Sequence, residues 1–214
     1  MTKTRTDPPI RGLYAVTPDE PDTARLCTLV ETALSGGARL LQYRNKTASD
    51  VLRFEQAATL LAICRRHDVP LIVNDDLELA AQIGAEGVHL GRDDGDAAKA
   101  RARLPDALIG VSCYNEIDRA LGAKRSGADY VAFGRFFAST TKPGDIRASL
   151  DLVAEARRLV ALPIVAIGGI TLGNARPLVD GGVDALAVVS ALFDSADIAA
   201  TARRFADLYA HARP

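Results

Sequence analysis

The stretch "RSGADYVAFG" at residues 125–134 decides the fold, because its first half recurs twice elsewhere in the chain. "SGGARL" at 35–40 and "DGGVDAL" at 180–186 follow the same order of glycine, small residue and apolar run. Each pattern indicates a helix that ends at glycine and a strand that begins shortly after it. This recurrence predicts that one supersecondary unit is used repeatedly along the chain.

Outward from these stretches, short apolar segments alternate with longer amphipathic ones. The short segments are rich in Val, Ile, Leu and Ala without clean polar alternation, which is typical of strands covered on both faces. The longer ones have helical spacing, as in residues 49–67, where Ser49 or Asp50 is the expected N-cap. The eight predicted strands are residues 12–17, 39–44, 70–74, 87–91, 108–113, 130–134, 163–169 and 185–190.

Eight strand-then-helix units predict an α/β fold and, in a chain of 214 residues, a closed (β/α)8 TIM barrel. A doubly wound open sheet is the alternative with the same element order. We expect one domain over residues 1–214, in which residues 1–10 form a flexible N-terminal tail.

Composition excludes several classes of partner. The formal net charge is −1, which gives no bulk attraction to nucleic acid or to an anionic membrane. The first ten residues, "MTKTRTDPPI", are polar and lack the apolar core of a signal peptide, and no apolar run reaches the roughly 18 residues of a membrane span. Cys27, Cys64 and Cys113 have neither disulfide-framework nor metal-site spacing. We therefore predict a cytoplasmic protein with reduced cysteines and small-molecule partners, and a homo-oligomer is compatible with the sequence.

Polar side chains follow the predicted strands, and a barrel brings all strand ends to one rim. Gln42, Arg44 and Lys46 are two residues apart, so they would point the same way if the strand continued through them. Further along the chain, strand ends are followed by Asn74, Asp75 and Asp76, by Asp93, Asp94 and Asp96, by Ser112, by Ser139, Thr140, Thr141 and Lys142, by Gly168 and Gly169, and by Val189 and Ser190.

Each of these motifs has a simpler explanation when taken alone. The acidic pairs could be helix N-caps, "TTKPG" a turn, the glycine corners tight loops, and His89 a structural histidine. Together, cations and carboxylates at one rim indicate an anion bound through a divalent metal, and Mg²⁺ uses one or two carboxylates plus phosphate oxygens. The glycine corners of the last two strands indicate a second phosphate site on backbone N–H groups. Two phosphate sites imply two phosphorylated substrates, or one substrate phosphorylated at both ends.

In order along the chain, "QYRNK", "NDD", "GVHLGRDD", "GVSCYN", "FGRFFASTTKPG", "AIGGI" and "VVSAL" resemble the thiamine phosphate synthase family. The resemblance runs from about residue 12 to residue 192, and its Q-x-R-x-K and T-K-P-G elements are specific. It implies a (β/α)8 barrel and a Mg²⁺-dependent transferase of thiamine biosynthesis. Such an enzyme joins hydroxymethylpyrimidine diphosphate to thiazole phosphate, giving thiamine phosphate and diphosphate.

The resemblance also implies roles for individual residues. Arg44, Lys46 and Lys142, with Ser112, are the expected catalytic residues, and Asp75 and Asp94 are the expected metal ligands. The pyrimidine diphosphate site would consist of Gln42, Arg44, Lys46, Asn74, Ser112 and Lys142. The thiazole phosphate site would consist of Ser139, Thr140, Thr141, Gly169, Val189 and Ser190.

The chain departs from the family pattern at three positions. Ala138 stands where proline is expected, Arg92 where glutamine is usual and Asp93 where glutamate is common. Ala138 lacks the fixed φ of proline, so we expect a less preorganised loop there. The expected metal ligand, Asp94, is retained.

Three other functions share parts of this pattern. A thiazole tautomerase would not need the cations that bind the diphosphate. A non-catalytic regulator that binds thiazole phosphate would tolerate loss of the two expected metal ligands, Asp75 and Asp94. A relative of indole glycerol phosphate synthase would need a Lys/Glu constellation that these strands lack. The family chemistry is dissociative and needs no protein nucleophile, which agrees with the lack of a Ser/His/Asp or Cys/His arrangement.

Overall fold

The computed structural model describes residues 10–138 and 148–210, and eight parallel strands in it close into a barrel. The strands pair in chain order and the last pairs with the first, which confirms the (β/α)8 barrel and excludes the open sheet. The strands are β1 (Gly12–Val16), β2 (Leu40–Tyr43), β3 (Leu71–Asn74), β4 (Gly87–Leu90), β5 (Leu108–Tyr114), β6 (Tyr130–Gly134), β7 (Ile164–Ile167) and β8 (Ala185–Val188). The helices are α1 (Thr23–Ser35), α2 (Asp50–Arg66), α3 (Leu77–Ile83), α4 (Ala97–Arg103), α5 (Ile117–Arg125), α6 (Leu150–Leu159), α7 (Arg176–Asp180), α8 (Ser190–Phe193) and α9 (Ile198–Ala210).

The repeated glycine stretches have the same backbone conformation in all three places. Gly37, Gly127 and Gly182 have φ values of +104°, +84° and +92°, a region that residues with a Cβ rarely adopt. Each follows the end of a helix and precedes an even-numbered strand. The sequence pattern therefore reports a backbone requirement of the repeated unit.

The apolar residues form two layers on either side of the barrel wall. The inner layer fills the barrel with side chains such as Tyr14, Leu40 and Tyr130, and the outer layer packs the strands against the helices. Ile10, the last residue of the expected flexible tail, belongs to the inner layer and is buried, and the tail itself stays a prediction. Residues 1–9 lie outside the described part of the chain.

An acidic residue before each of three even-numbered strands braces the face of the barrel opposite the strand ends. Asp129 accepts a hydrogen bond from the Ile109 backbone N–H at 2.7 Å, and it also pairs with Arg101 of α4. Two other acidic residues make the same pair of contacts. Glu86 accepts a hydrogen bond from the Leu71 backbone N–H and pairs with Arg65 of α2. Asp184 accepts one from the Ile164 backbone N–H and pairs with Arg157 of α6.

Two of the three cysteines lie on outer helices, Cys27 on α1 and Cys64 on α2, and Cys113 lies on β5. Cys64 and Cys113 are buried and Cys27 is half-buried, and none forms a disulfide. Among the described helices, none has the length and apolar character needed to cross a membrane.

Candidate functional site

A cavity of about 650 Å³ opens at the carboxyl ends of β2, β3 and β4. Its lining includes five residues that the sequence assigned to one site, from the ends of three strands and the loops that follow them: Arg44, Lys46, Asn74, Asp75 and Asp94. The fold therefore brings these side chains together, as expected for strand ends at one rim of a barrel. Their individual roles stay predictions.

The two aspartates expected to bind metal, Asp75 and Asp94, differ from nearby aspartates in that they do not cap a described helix. Asp76 is the N-cap of α3 and accepts a hydrogen bond from the Leu79 backbone N–H at 2.9 Å, and Asp96 caps α4 in the same way. Asp75 and Asp94 cap no helix among the described residues. Asp75 has a φ of +63°, an uncommon conformation for a residue with a Cβ. The helix-cap explanation thus accounts for Asp76 and leaves Asp75 and Asp94 for another role.

The carboxylates of Asp75 and Asp94 lie beside each other. Burial, followed by contact with Asp75, raises the pKa of the Asp94 carboxyl, and Lys46 opposes this shift. Lys46 Nζ lies 3.5 Å from Asp75 Oδ2. A Cβ added to Gly91 would lie 2.3 Å from Asp94 Oδ2 and 3.7 Å from Asp75 Oδ1, so both carboxylates border the space that glycine leaves open.

This pair suits a hard divalent cation. Two adjacent negative charges repel each other, and a cation between them removes that repulsion. Within residues 10–138 and 148–210, no group of three or more His, Cys, Asp or Glu side chains could hold a metal. The remaining ligands would come from water or substrate oxygens, as is usual for Mg²⁺.

Arg44 and Lys46 reach the cavity by a different route from the predicted one. β2 ends at Tyr43, so the strand alternation expected from Gln42 to Lys46 does not extend to them. Asp19 holds the segment instead: its carboxylate accepts hydrogen bonds from Arg44 Nη1 at 3.1 and 3.2 Å and from the Lys46 backbone N–H at 2.7 Å. Thr17 Oγ1 completes the clamp on the Arg44 backbone, accepting from its N–H and donating to its carbonyl oxygen.

Sequence reasoning missed several residues that order the site. The buried Asn45 accepts hydrogen bonds from the backbone N–H groups of Thr47 and Ala48 and so shapes the loop after β2. Arg119 of α5 donates to the carbonyl oxygens of Ser112 at 2.6 Å and Gly91 at 2.9 Å, which ties the ends of β4 and β5 together. Asn45 lies inside a quoted motif, whereas no sequence signal marks Arg119 or Asp19.

Gln42 and Ser112 are connected through the barrel interior. Gln42 Nε2 donates to the Tyr14 hydroxyl at 2.9 Å, and the hydroxyls of Tyr14 and Tyr130 are 2.9 Å apart. His89 joins the other end, with Nδ1 3.1 Å from the Tyr130 hydroxyl and Nε2 2.9 Å from Ser112 Oγ. His89 is buried and hydrogen-bonded through both ring nitrogens, and its predicted structural role stays a prediction.

The glycine corner after β7 is closely packed. Gly169 has a φ of +64°, and a Cβ there would lie 2.2 Å from the carbonyl oxygen of Ala138. The segment after β6 therefore already requires a glycine at this position. Val189 is the N-cap residue of α8 and Ser190 is its first residue, and the phosphate-binding role of this corner stays a prediction. Ser139, Thr140, Thr141 and Lys142 lie outside the described residues, so their roles also stay predictions.

Comparison with known proteins assigns the chain to a family. Residues 13–192 match the family model for thiamine monophosphate synthase. The thiamine-phosphate synthase of Methylobacillus flagellatus is 58% identical over 203 residues, covering 94% of this chain and 97% of that protein. The thiamine-phosphate synthase of Chromobacterium violaceum is 56% identical over 200 residues, covering 93% and 96% of the two chains. The solved thiamine phosphate pyrophosphorylase from Pyrococcus furiosus is 31% identical, with a TM-score of 0.85 and coverage of 96% of this chain and 98% of that one. Because the family model and these relatives span nearly the whole barrel, the chain belongs to the thiamine monophosphate synthase family.

Proposed function

We propose that the chain transfers the hydroxymethylpyrimidine group from its diphosphate to thiazole phosphate, releasing thiamine phosphate and diphosphate with the help of Mg²⁺. Family membership and the named relatives make the chain an enzyme, a transferase. The observation that carries the finer proposal is the contact between Asp75 and Asp94 beside Lys46, in the cavity that Arg44 also lines. A cytoplasmic location and the oligomeric state stay predictions.

The residues present fit Mg²⁺. Asp75 and Asp94 would hold it, because their carboxylates lie side by side, and burial followed by contact with Asp75 raises the pKa of the Asp94 carboxyl. A cation between the two carboxylates would offset their repulsion. When bound, Mg²⁺ would neutralise diphosphate oxygens and so make diphosphate a better leaving group. Lys46 already lies within ion-pair distance of Asp75, so it can turn from this carboxylate to the substrate when a cation takes its place.

The chain's own cations would take up the charge of the departing diphosphate. Arg44 can keep Nη1 on Asp19 and offer its other N–H groups to phosphate oxygens, because a guanidinium carries five donors in a fixed fork. Lys46 and Lys142 would add point charges. Preorganised charge of this kind is usually the largest single contribution to catalysis.

The proposed bond changes are dissociative. The C–O bond to diphosphate breaks, the aminopyrimidine carries the positive charge, and the thiazole nitrogen then adds to that carbon. Gln42, Asn74 and Ser112 would bind the pyrimidine diphosphate. Ser139, Thr140, Thr141, Gly169, Val189 and Ser190 would bind the thiazole phosphate.

The direct test is to incubate the purified chain with both substrates and Mg²⁺ and to measure thiamine phosphate and diphosphate. We expect equal amounts of the two products, none when either substrate is omitted, and none with EDTA until Mg²⁺ is restored. Binding of thiazole phosphate without product formation would indicate the regulator instead. Isomerisation of the thiazole without the pyrimidine substrate would indicate the tautomerase.

A further inference from the structure

The hydrogen-bonded residues inside the barrel connect two parts of the proposed site. We propose that Tyr14, Tyr130 and His89 are positioning residues that orient the Ser112 hydroxyl so that its proton is donated to the substrate. This inference rests on the proposed function, which places Gln42 and Ser112 in the pyrimidine diphosphate site. It adds three residues that lie outside the cavity lining and that the sequence analysis did not place in the site.

The direction of the hydrogen bonds that run from Gln42 to Ser112 follows from counting protons. Gln42 Nε2 donates to the Tyr14 oxygen, so the single Tyr14 proton is left for the Tyr130 oxygen. The Tyr130 proton then goes to His89 Nδ1, and His89 carries its own proton on Nε2, which donates to Ser112 Oγ. The opposite direction along all the links would leave the buried Tyr14 proton facing the Gln42 N–H group without an acceptor among these partners, which is costly. Since Ser112 Oγ accepts from His89, its own proton is free for a ligand.

The protonation state of both phenols supports this count. Burial raises the pKa of the Tyr14 hydroxyl and of the Tyr130 hydroxyl well above the ordinary tyrosine value. Each therefore remains a neutral phenol with one proton to donate at neutral pH. Both rings are almost completely buried, at 1% and 0% exposure, so water does not compete for these protons.

The packing around the chain fixes its geometry. The rings of His89 and Tyr130 stack with centroids 5.5 Å apart at 26°, and the rings of Tyr14 and Tyr130 meet edge to face at 6.1 Å and 75°. Gly110 makes room for the central link, because a Cβ there would lie 2.3 Å from the Tyr130 hydroxyl and 2.5 Å from His89 Nδ1. A barrel interior can be filled with apolar side chains alone, so a polar link between two site residues calls for a role beyond filling space.

The first test measures the tautomer of His89 in the wild-type protein without substrates. Long-range ¹H–¹⁵N NMR of histidine-labelled protein distinguishes Nε2–H from Nδ1–H, and a His89→Gln spectrum assigns the signal among the three histidines of the chain. We expect the proton on Nε2. A neutral His89 with its proton on Nδ1 would reverse the direction of these hydrogen bonds and overturn the proposal.

The second test is a double-mutant cycle between Tyr130→Phe and Ser112→Ala. We expect Tyr130→Phe to lower kcat/KM by about tenfold in the wild-type background, the effect of one buried hydrogen bond, but by less than about twofold when Ser112 is already alanine. Equal losses in the two backgrounds, or no loss in either, would show that Tyr130 does not act through Ser112. Tyr14→Phe interrupts the same chain at a second point and should give the same pattern if Tyr130→Phe folds poorly.

Tyr209→Phe in α9 is the matched control, because it removes another buried tyrosine hydroxyl, one that lacks a hydrogen-bond partner among the described residues. Its kcat/KM should equal that of the wild type. Failure of the proposed function is distinguishable, because a wild-type protein that makes no thiamine phosphate would refute that function. The tautomer of His89 would still show the direction of the hydrogen bonds, independently of any activity.

Discussion

Replacing Arg44 by lysine tests the proposed binding of diphosphate by the guanidinium group, because the positive charge is retained. Arg44 Nη1 is held by both oxygens of Asp19, at 3.1 and 3.2 Å, and only 14% of the side chain is exposed. The guanidinium can stay on Asp19 and still offer Nε and Nη2 to a ligand. A lysine has a single nitrogen, so it must share that nitrogen between Asp19 and the diphosphate.

The expected loss follows from the bonds that lysine cannot make. A hydrogen bond to a charged group contributes roughly 1.5–3 kcal/mol, so the loss of one such bond to the leaving diphosphate should lower kcat/KM by about 10- to 150-fold. The free energy of unfolding should change little, because a lysine at position 44 can keep the ion pair with Asp19, a partly exposed pair of small net value.

The assay is steady-state formation of thiamine phosphate at varied pyrimidine diphosphate and saturating Mg²⁺ and thiazole phosphate. Arg66→Lys in α2 is the matched control, since Arg66 is paired with Glu31 at 2.7 Å and its side chain is 59% exposed. It should keep the wild-type kcat/KM. A wild-type value in Arg44→Lys would remove the role of the guanidinium fork.

Three further predictions concern stability. Asp129→Ala leaves the Ile109 backbone N–H without its acceptor and should lower the free energy of unfolding by about 1–2 kcal/mol in urea titrations, and an unchanged midpoint would refute the brace. Asp76→Ala removes the N-cap of α3 and should cost about 1 kcal/mol while leaving the Mg²⁺ concentration for half-maximal rate unchanged, and a raised Mg²⁺ requirement would place Asp76 among the metal ligands. Burial raises the pKa of Tyr43 from 10.0 to about 12, so its contribution to stability is present below pH 10 and is lost as pH rises towards 12. Tyr43→Phe should therefore reduce the slope of stability against pH in this window by about 1.4 kcal/mol per pH unit, and an unchanged slope would contradict the shift.

The strands were predictable because burial on both faces leaves a continuous apolar signal. β6 begins and ends where its apolar run does, at Tyr130 and Gly134, and the glycine before it marks a backbone conformation that few other residues adopt. Closure into a barrel followed from counting eight such units. The bounds differ by one residue at β1 to β5 and by up to two at β7 and β8, where the apolar run continues into the corners.

The site was predictable as a set of strand ends and less so as a geometry. Sequence spacing alone could not show that Asp76 caps a helix while Asp75 turns to Asp94, because both follow the same strand. The position of Arg44 depends on Asp19, which lies 25 residues earlier in the chain. Such contacts depend on the register between strands and on loop conformation, and neither leaves a local pattern in the sequence.

The distant link between Tyr14 and Tyr130 is a second example. The two residues are 116 positions apart and sit on β1 and β6, which are not neighbours in the barrel. Each looks like an ordinary apolar strand residue in its own segment. Only closure of the barrel brings their hydroxyls together.

The most direct test of the central claim is the Mg²⁺ dependence of thiamine phosphate formation in Asp75→Asn and Asp94→Asn, compared with the wild type. Each variant keeps the shape of the side chain and removes one of the two adjacent charges. Asp94→Asn should therefore be at least as stable as the wild type without metal. The account predicts that both variants need about tenfold more Mg²⁺, or lose turnover altogether, while remaining folded by circular dichroism. Wild-type Mg²⁺ dependence in either variant would contradict the claim that these two carboxylates hold the metal.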